Sequence, residues 1–262
     1  MSEATKITQE FLDSSQYLEQ SILQYELVYG EDFVSPGGAQ LARELIAEMQ
    51  LQPGARVLDV GCGLGGSAFL MAREFDLVVD GIDLSRNMLG LAERKLAAHG
   101  LSPGVDLQWG DCLELDRPGR YDAIYSRDVF LHIHDKARLF NVLESSLCPG
   151  GMLLFTDYCC GPAPWDGDFA DYVEQRGYRL HTIDEYLGII RAAGLEGAEG
   201  EDLSARFVEI LQADLERIDG LDLEPDARAE LRQAWQRKLA RAGAGDHRWG
   251  KFRARRAGLA AG

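Results

Sequence analysis

The sequence lacks any apolar run near the ~18 residues that a membrane-spanning helix needs, which argues against an integral membrane protein of the helical kind. Cysteine is scarce: Cys62, Cys112, Cys148, Cys159 and Cys160 contain no Cys-x-x-Cys pair. A disulfide scaffold and a structural zinc site are therefore not expected, and no metal ligand set is assigned. The opening residues, MSEATKITQEFLDSSQ, are polar and acidic, unlike the basic and then apolar layout of a secretory signal. A reduced, cytoplasmic protein is the expectation. Positive charge is also short, with 27 Lys and Arg against 43 Asp and Glu and a net −16, which disfavours a nucleic-acid partner. No internal repeat or low-complexity tract is visible.

What remains is ample for a core. The 262 residues are 46% hydrophobic and 9% aromatic, enough for one large domain or a core with a cap. The charge is unevenly placed. Arg228 to Arg256 holds ten basic and two acidic residues, a local +8 that leaves −24 on the rest. Such a segment is either a solvated helix face or a lid that carries positive charge to an anionic ligand.

Residues 1–50 read as helical: Phe11, Leu12, Tyr17, Leu18, Ile22, Tyr25 and Leu27 recur at three- and four-residue steps. Val34-Ser35-Pro36-Gly37-Gly38 interrupts them before a second helix, Ala39 to Met49. From Arg56 short apolar runs alternate with helical stretches such as Arg86 to His99. The runs start near Val57, Leu77, Val105, Tyr121 and Met152, a rhythm that predicts parallel strands joined by crossover helices. That is a doubly wound α/β sheet. Beyond Phe155 the rhythm stops. Gly161-Pro162-Ala163-Pro164 marks a loop, Phe169 to Tyr178 and most of Leu203 to Ala240 read as helix, and late strands complete the sheet.

Asp59-Val60-Gly61-Cys62-Gly63-Leu64-Gly65-Gly66 lies between a predicted strand and a predicted helix. Glycines permit a tight turn there, and the helix start offers free amides to a ligand. Gly61, Gly63 and Gly66 also satisfy the dinucleotide fingerprint, a weak match alone. Asp59, directly before the glycines, disfavours a pyrophosphate and suits a cationic amino-acid group. Asp83 closes the second strand, 22 residues after Gly61, where a carboxylate accepts ribose hydroxyls. Asp111 follows the third strand, placed for an adenine amino group. This set, with the later Leu147-Cys148-Pro149-Gly150-Gly151 turn, resembles the class I S-adenosylmethionine-dependent methyltransferases across about residues 55–160.

A second set carries a narrower resemblance. It comprises Ser15-Gln16-Tyr17, Tyr25-Glu26-Leu27-Val28-Tyr29-Gly30, Ser35-Pro36-Gly37-Gly38 and Tyr125-Ser126-Arg127-Asp128 with His132. Asp157-Tyr158, Tyr172 to Tyr178 and Arg248-Trp249-Gly250 complete it. Together these are similar to the phosphoethanolamine N-methyltransferases, nearly end to end. The resemblance implies a Rossmann-like methyltransferase sheet with a helical N-terminal lid over 1–50, a cofactor-binding core over 51–160 and a substrate cap over 161–262. It implies S-adenosylmethionine at Val34, Ser35, Asp59, Gly61, Gly63, Asp83, Leu84, Asp111, Cys112 and Arg127. It places the acceptor at Gln16, Tyr17, Asp128, Tyr158, Tyr172, Arg176, Tyr178 and Lys238, with Tyr17, His132 and Asp128 nearest the chemistry.

The chemistry supports those residue types. A phosphate is held by arginine, lysine and hydroxyl donors, and on a helix Tyr172 and Arg176 share one face. The basic tail would close positive charge onto that phosphate. A histidine titrating near neutral pH takes up a proton or, paired with Tyr17, latches the lid; the sequence leaves base and latch open. The expected product is phosphocholine, by successive methylations of a small phosphorylated amine on a monomeric enzyme. Another small anionic amine, such as an aminophosphonate, glycine or sarcosine, is the rival substrate class. A non-catalytic cofactor-binding protein and a nicotinamide oxidoreductase are further rivals. Singly, His132 reads as a core histidine and Tyr17 as packing; only their company changes that. Cys62, Cys159 and Cys160 have no activating neighbours and read as small fillers.

Overall fold

The computed structural model describes residues 7–258; residues 1–6, where the expected lid starts, and 259–262, where the expected cap ends, lie outside the described residues. Five strands, β1 (Arg56–Val60), β2 (Val78–Asp83), β3 (Val105–Trp109), β4 (Tyr121–Arg127) and β5 (Leu147–Cys160), run parallel. Their centres are apolar on both sides: Val57, Leu58, Val79, Ala123, Ile124, Leu153 and Leu154 are all fully buried. Only a sheet covered on both faces can use such runs. Two late strands, β6 (Glu196–Asp202) and β7 (His247–Arg255), complete a seven-stranded sheet in the order β3-β2-β1-β4-β5-β7-β6. β7 is antiparallel to both neighbours, with Tyr158 opposite Trp249 and Thr156 opposite Lys251. The expected doubly wound, Rossmann-like sheet is the architecture found.

The helices form the outer layers. Val57, Val79, Tyr125 and Leu154 share one core with α3 (Gly38–Glu48), α4 (Gly66–Phe75), α9 (Ser204–Asp219) and α10 (Pro225–Ala244). Leu58, Val60, Phe155 and Phe252 share the other with α6 (Lys136–Ser146) and α8 (Ile183–Ala192). Helix starts are chemically marked: Ser85 caps α5 (Arg86–His99), Asp135 caps α6, and Thr182 forms a reciprocal capping box with Glu185 on α8. Loops 161–166 and 177–182 flank α7 (Gly167–Arg176) and α8.

Within the first 50 residues, only the part before α3 crosses the sheet edge. α1 (Gln9–Phe11) runs into a wide helical turn, Leu12–Gln16, followed by α2 (Glu19–Tyr29). α3 buries Leu41, Ala42, Leu45 and Ile46 in the sheet's core. The apolar pattern read across this region divides accordingly: Ile22 is buried, whereas Leu18 and Leu27 are each 46% exposed.

The basic tail also divides, contrary to its expected single purpose. Arg232, Arg248, Lys251, Arg253 and Arg256 pair with carboxylates of the body, including Asp219, Asp202, Glu48, Glu199 and Glu144. Lys238, Arg237 and Arg241 on α10 instead face the interior cavity described below. The alanine- and glycine-rich stretch Ala240 to Ala244 is the last part of α10, with Gly245 as its C-cap. Among the described residues no helix is long and apolar enough to cross a membrane.

Candidate active site

The strand order reverses between β1 and β4, and open α/β sheets present a crevice at such a switch point, at the carboxyl ends of their strands. A cavity of about 840 Å³ lies there. The loop after β1, the ends of β2, β4 and β5, the N-terminal segment, α7 and α10 all contribute to its walls. Each sequence-predicted site residue lines it except one. Asp59 shares the face of β1 with Val57, turned into the α3 and α4 core, while Val60 reaches the cavity. Asp59 is 2% exposed, and burial followed by the neighbouring Asp83 charge pushes its carboxyl up to about 7. Asp59 thus lies behind the glycine turn rather than in the cavity wall, with its Oδ2 buried and unpartnered among the described residues.

The glycine turn is shaped by close approach. Gly61 has φ +70° and a side chain there would collide with Val129; Gly63 has φ +54°. The amide of Gly61 donates to Ile82 O at 2.7 Å, tying the turn to β2. Asp83 is fixed from both sides. Its Oδ2 accepts from the Gly63 amide at 2.9 Å and its Oδ1 from the Ser85 amide at 2.8 Å. Burial outweighs these bonds and pushes the Asp83 carboxyl up to about 6. Asp111 Oδ1 accepts from Leu113 N at 2.9 Å, capping the turn that begins at Cys112. Val34, Ser35, Leu84 and Cys112 also face this half. Arg127, 6% exposed, donates to the carbonyls of Gly38 (3.0 Å) and Pro36. It lines the cavity and at the same time pins the Ser35–Gly38 loop against the sheet.

The other half carries the expected acceptor residues. Tyr17 Oη and His132 Nε2 are 2.9 Å apart, and Gln16 Nε2 donates to Arg176 O at 2.7 Å. Both bonds fasten the N-terminal segment across the cavity. Burial, reinforced by the positive charges of Lys136 and Arg176, lowers His132 to about 3; burial raises Tyr17 well above its ordinary value. The imidazole is thus neutral at physiological pH. Asp128 sits in the left-handed region at φ +57°. Trp249 Nε1 (2.7 Å) and Thr156 Oγ1 (3.1 Å) both donate to its Oδ1, while Oδ2 is buried without a partner among the described residues.

Cations gather at the far end. Lys238 Nζ donates to Tyr158 Oη at 2.6 Å and to Tyr29 Oη at 3.3 Å. Burial lowers its ammonium to about 8. The Arg176 guanidinium lies 6.0 Å from the Tyr172 ring centre and hydrogen-bonds Tyr25, and Arg241 stacks 4.0 Å from the same Tyr172 ring. Tyr178 meets Tyr172 edge-on at 5.5 Å and His132 at 5.1 Å. The cavity is therefore polarised, with basic groups and phenols at one end and Asp128, then Asp83, towards the other.

Several contributors escape sequence reasoning. Tyr25 and Tyr29 stand within a quoted motif, but only the fold shows them bonded to Arg176 and Lys238. Lys136 is 3% exposed, and its ammonium donates to Phe130 O and Ile133 O at 2.5 Å and to Arg179 O at 3.2 Å, bracing the turn that carries His132. Asp13 accepts from Ser85 Oγ (2.5 Å) and from the amides of Arg86 (3.1 Å) and Asn87 (3.4 Å), so the N-terminal segment caps α5 beside Asp83. Neither Lys136 nor Asp13 carries a local sequence signal.

A family model described as a methyltransferase domain matches residues 57–151. Phosphoethanolamine N-methyltransferase 3 of Arabidopsis thaliana is 41% identical over 255 residues, 95% of this chain and 52% of that protein. The chain thus spans about half the length of the plant relatives it matches. The phosphoethanolamine N-methyltransferase of Plasmodium falciparum (isolate 3D7) is 30% identical over 254 residues, 93% of this chain and 94% of that protein. Among solved structures, phosphoethanolamine N-methyltransferase 2 of Haemonchus contortus, in complex with phosphomonomethylethanolamine and S-adenosylhomocysteine, superposes with a TM-score of 0.91 at 33% identity. That match covers 95% of this chain and 60% of the other. With near end-to-end relatives of this kind and a cavity that gathers the residues described, the chain belongs to the phosphoethanolamine N-methyltransferase family.

Proposed function

We propose that this chain is an S-adenosylmethionine-dependent N-methyltransferase that converts phosphoethanolamine, through its mono- and dimethyl forms, to phosphocholine. The observation that carries the reading is the polarity of one cavity: Lys238 and Arg176 among tyrosines at one end, and an unpartnered Asp128 oxygen towards the other. A phosphorylated amine has the complementary layout.

The residues present fit the cofactor. Gly61 and Gly63 line the cavity at positive φ, which keeps the turn tight and its backbone bare of side chains, and Asp83 is oriented by two amides with lone pairs left for ribose hydroxyls. Leu84, Asp111 and Cys112 edge the place of the base, and Val34 and Ser35 the opposite wall. Bound there, S-adenosylmethionine supplies an electrophilic methyl group to the acceptor nitrogen.

The protein's own contribution is binding, orientation and exclusion of water. Tyr158, Tyr172, Tyr178, Arg176 and Lys238 hold the phosphate, and Asp128 holds the amine. At about 3, His132 is a poor proton acceptor in the unliganded cavity. A phosphate dianion beside Arg176 offsets one of the charges that depress it, so substrate binding moves His132 towards the range of a base. The Tyr17–His132 bond is first a latch, and residues 7–35 are the lid it fastens. A monomeric enzyme is part of this reading. Five cysteines without disulfides fit a reducing, cytoplasmic setting.

Equilibrium binding tests the phosphate assignment without turnover. With S-adenosylhomocysteine present, calorimetry should show phosphoethanolamine binding and ethanolamine not. Equal affinity for the two would remove the phosphate from the reading.

A further inference from the structure

Asp128 is held in an unusual way. Its left-handed backbone is unfavourable for a non-glycine residue and persists only where its surroundings enforce it. Enforcement is visible: Asp128 N donates to Thr156 O at 2.9 Å, bringing the side chain alongside β5. There Thr156 Oγ1 and Trp249 Nε1 both donate to Oδ1, at 3.1 and 2.7 Å. A carboxylate oxygen has two lone-pair positions, so Oδ1 is fully used. Oδ2 is left buried and unpartnered in a residue that lines the cavity.

The two donors sit on rigid ground. Thr156 is 1% and Trp249 0% exposed, and they lie on paired strands of the sheet. The Trp249 amide donates to Ser204 Oγ at 3.1 Å and its carbonyl accepts from Leu203 N at 2.8 Å, which fixes the indole from the start of α9. Charge alone would attract an ammonium to any rotamer of Asp128. Two fixed donors select one rotamer.

We propose that Trp249 and Thr156 are positioning residues that occupy one oxygen of Asp128 and leave the other as the single acceptor for the substrate nitrogen. This rests on the phosphorylated-amine reading above. Primary, secondary and tertiary ammonium acceptors carry three, two and one N–H bonds, and a quaternary product carries none. One acceptor oxygen is therefore satisfied equally by each of the three ammonium substrates; each gives up one N–H proton before its lone pair takes the methyl group, and the quaternary product has none left to donate. A carboxylate with both oxygens free would favour the primary amine over the dimethyl form. The arrangement gives one site even-handed use of three substrates and a weaker hold on the product.

The test compares Trp249→Phe, Thr156→Val and Thr156→Ser, each melted first to establish folding, using phosphoethanolamine and its mono- and dimethyl forms. Trp249→Phe and Thr156→Val should lower kcat on the order of tenfold or more, with KM changed less than about threefold, since charge is kept and orientation lost. Thr156→Ser should restore kcat, and the dimethyl substrate should suffer most. In an Asp128→Ala background Trp249→Phe should add nothing further. Full additivity with Asp128→Ala, or Thr156→Val matching the parent enzyme, would overturn the proposal. Should Trp249→Phe not fold, the Val and Ser pair at 156 decides alone. Failure of the parent enzyme to methylate any of the three compounds would instead refute the substrate reading itself.

Discussion

Burial decides what each titratable group at the site can do. Lys238 is held among Tyr29, Tyr158 and Phe207, and its ammonium falls to about 8 because desolvation outweighs Asp128 and Asp214. A dianionic ligand would restore the lost interaction, so charge at Lys238 and phosphate binding reinforce each other. Lys238→Met should raise KM for phosphoethanolamine roughly tenfold to a hundredfold, the worth of one charged hydrogen bond, with S-adenosylhomocysteine affinity unchanged by calorimetry. Asp83 gives a prediction in pH. Burial pushes its carboxyl up to about 6, and the ionised form is the proposed acceptor of ribose hydroxyls. Protonation therefore competes with the cofactor as pH falls through 6. Affinity for S-adenosylhomocysteine should drop roughly tenfold between pH 7 and pH 5, and Asp83→Asn should bind weakly with no such slope. An unchanged affinity across that range would place the ribose elsewhere.

At the scale of elements, the N-terminal segment is fastened to both halves of the cavity. Asp13 caps α5 beside Asp83, Asn87 Nδ2 reaches Tyr17 O at 2.8 Å, and Tyr17 and Gln16 tie down to His132 and Arg176. Asp13→Ala should speed release of S-adenosylhomocysteine in stopped flow by about fivefold to tenfold, the equivalent of ~1–1.5 kcal/mol for a lost cap, while the far-ultraviolet spectrum stays unchanged. An unaltered off-rate would show that the segment does not gate the cofactor. These elements also show what the sequence can and cannot reveal. The glycine turn, Asp83 and Asp111 are legible because each is local to a strand end, and a parallel sheet brings strand ends to one edge. α2 reads less well: Leu18, Leu23 and Leu27 point to solvent while Tyr25 and Tyr29 turn inward, since a helix over a polar cavity does not sort apolar from polar residues. The bond from Trp249 to Asp128 spans 121 positions, and Arg179 O, one of the three carbonyls around Lys136, lies 43 positions away. No spacing rule reaches that far. Asp59 stands apart from the cavity wall because strand alternation puts it on the face of Val57.

Over the whole molecule, the charge distribution resolves into two uses. Most of the basic residues of β7 pair with the acidic body and hold the sheet's antiparallel edge, whereas α10 delivers Lys238, Arg237 and Arg241 to the cavity. Net charge alone predicts poor attraction for an anion; the local field at α10 is what supports a phosphate. The fold thus separates a cavity end lined by carboxylates from one lined by cations, the layout that the proposed cofactor and phosphorylated amine require. The measurement that tests this most directly is methyl transfer from labelled S-adenosylmethionine to phosphoethanolamine, its mono- and dimethyl forms, free ethanolamine and glycine. The account predicts labelled phosphocholine from the three phosphorylated amines and none from ethanolamine or glycine. Turnover of ethanolamine or glycine at a comparable rate would contradict it.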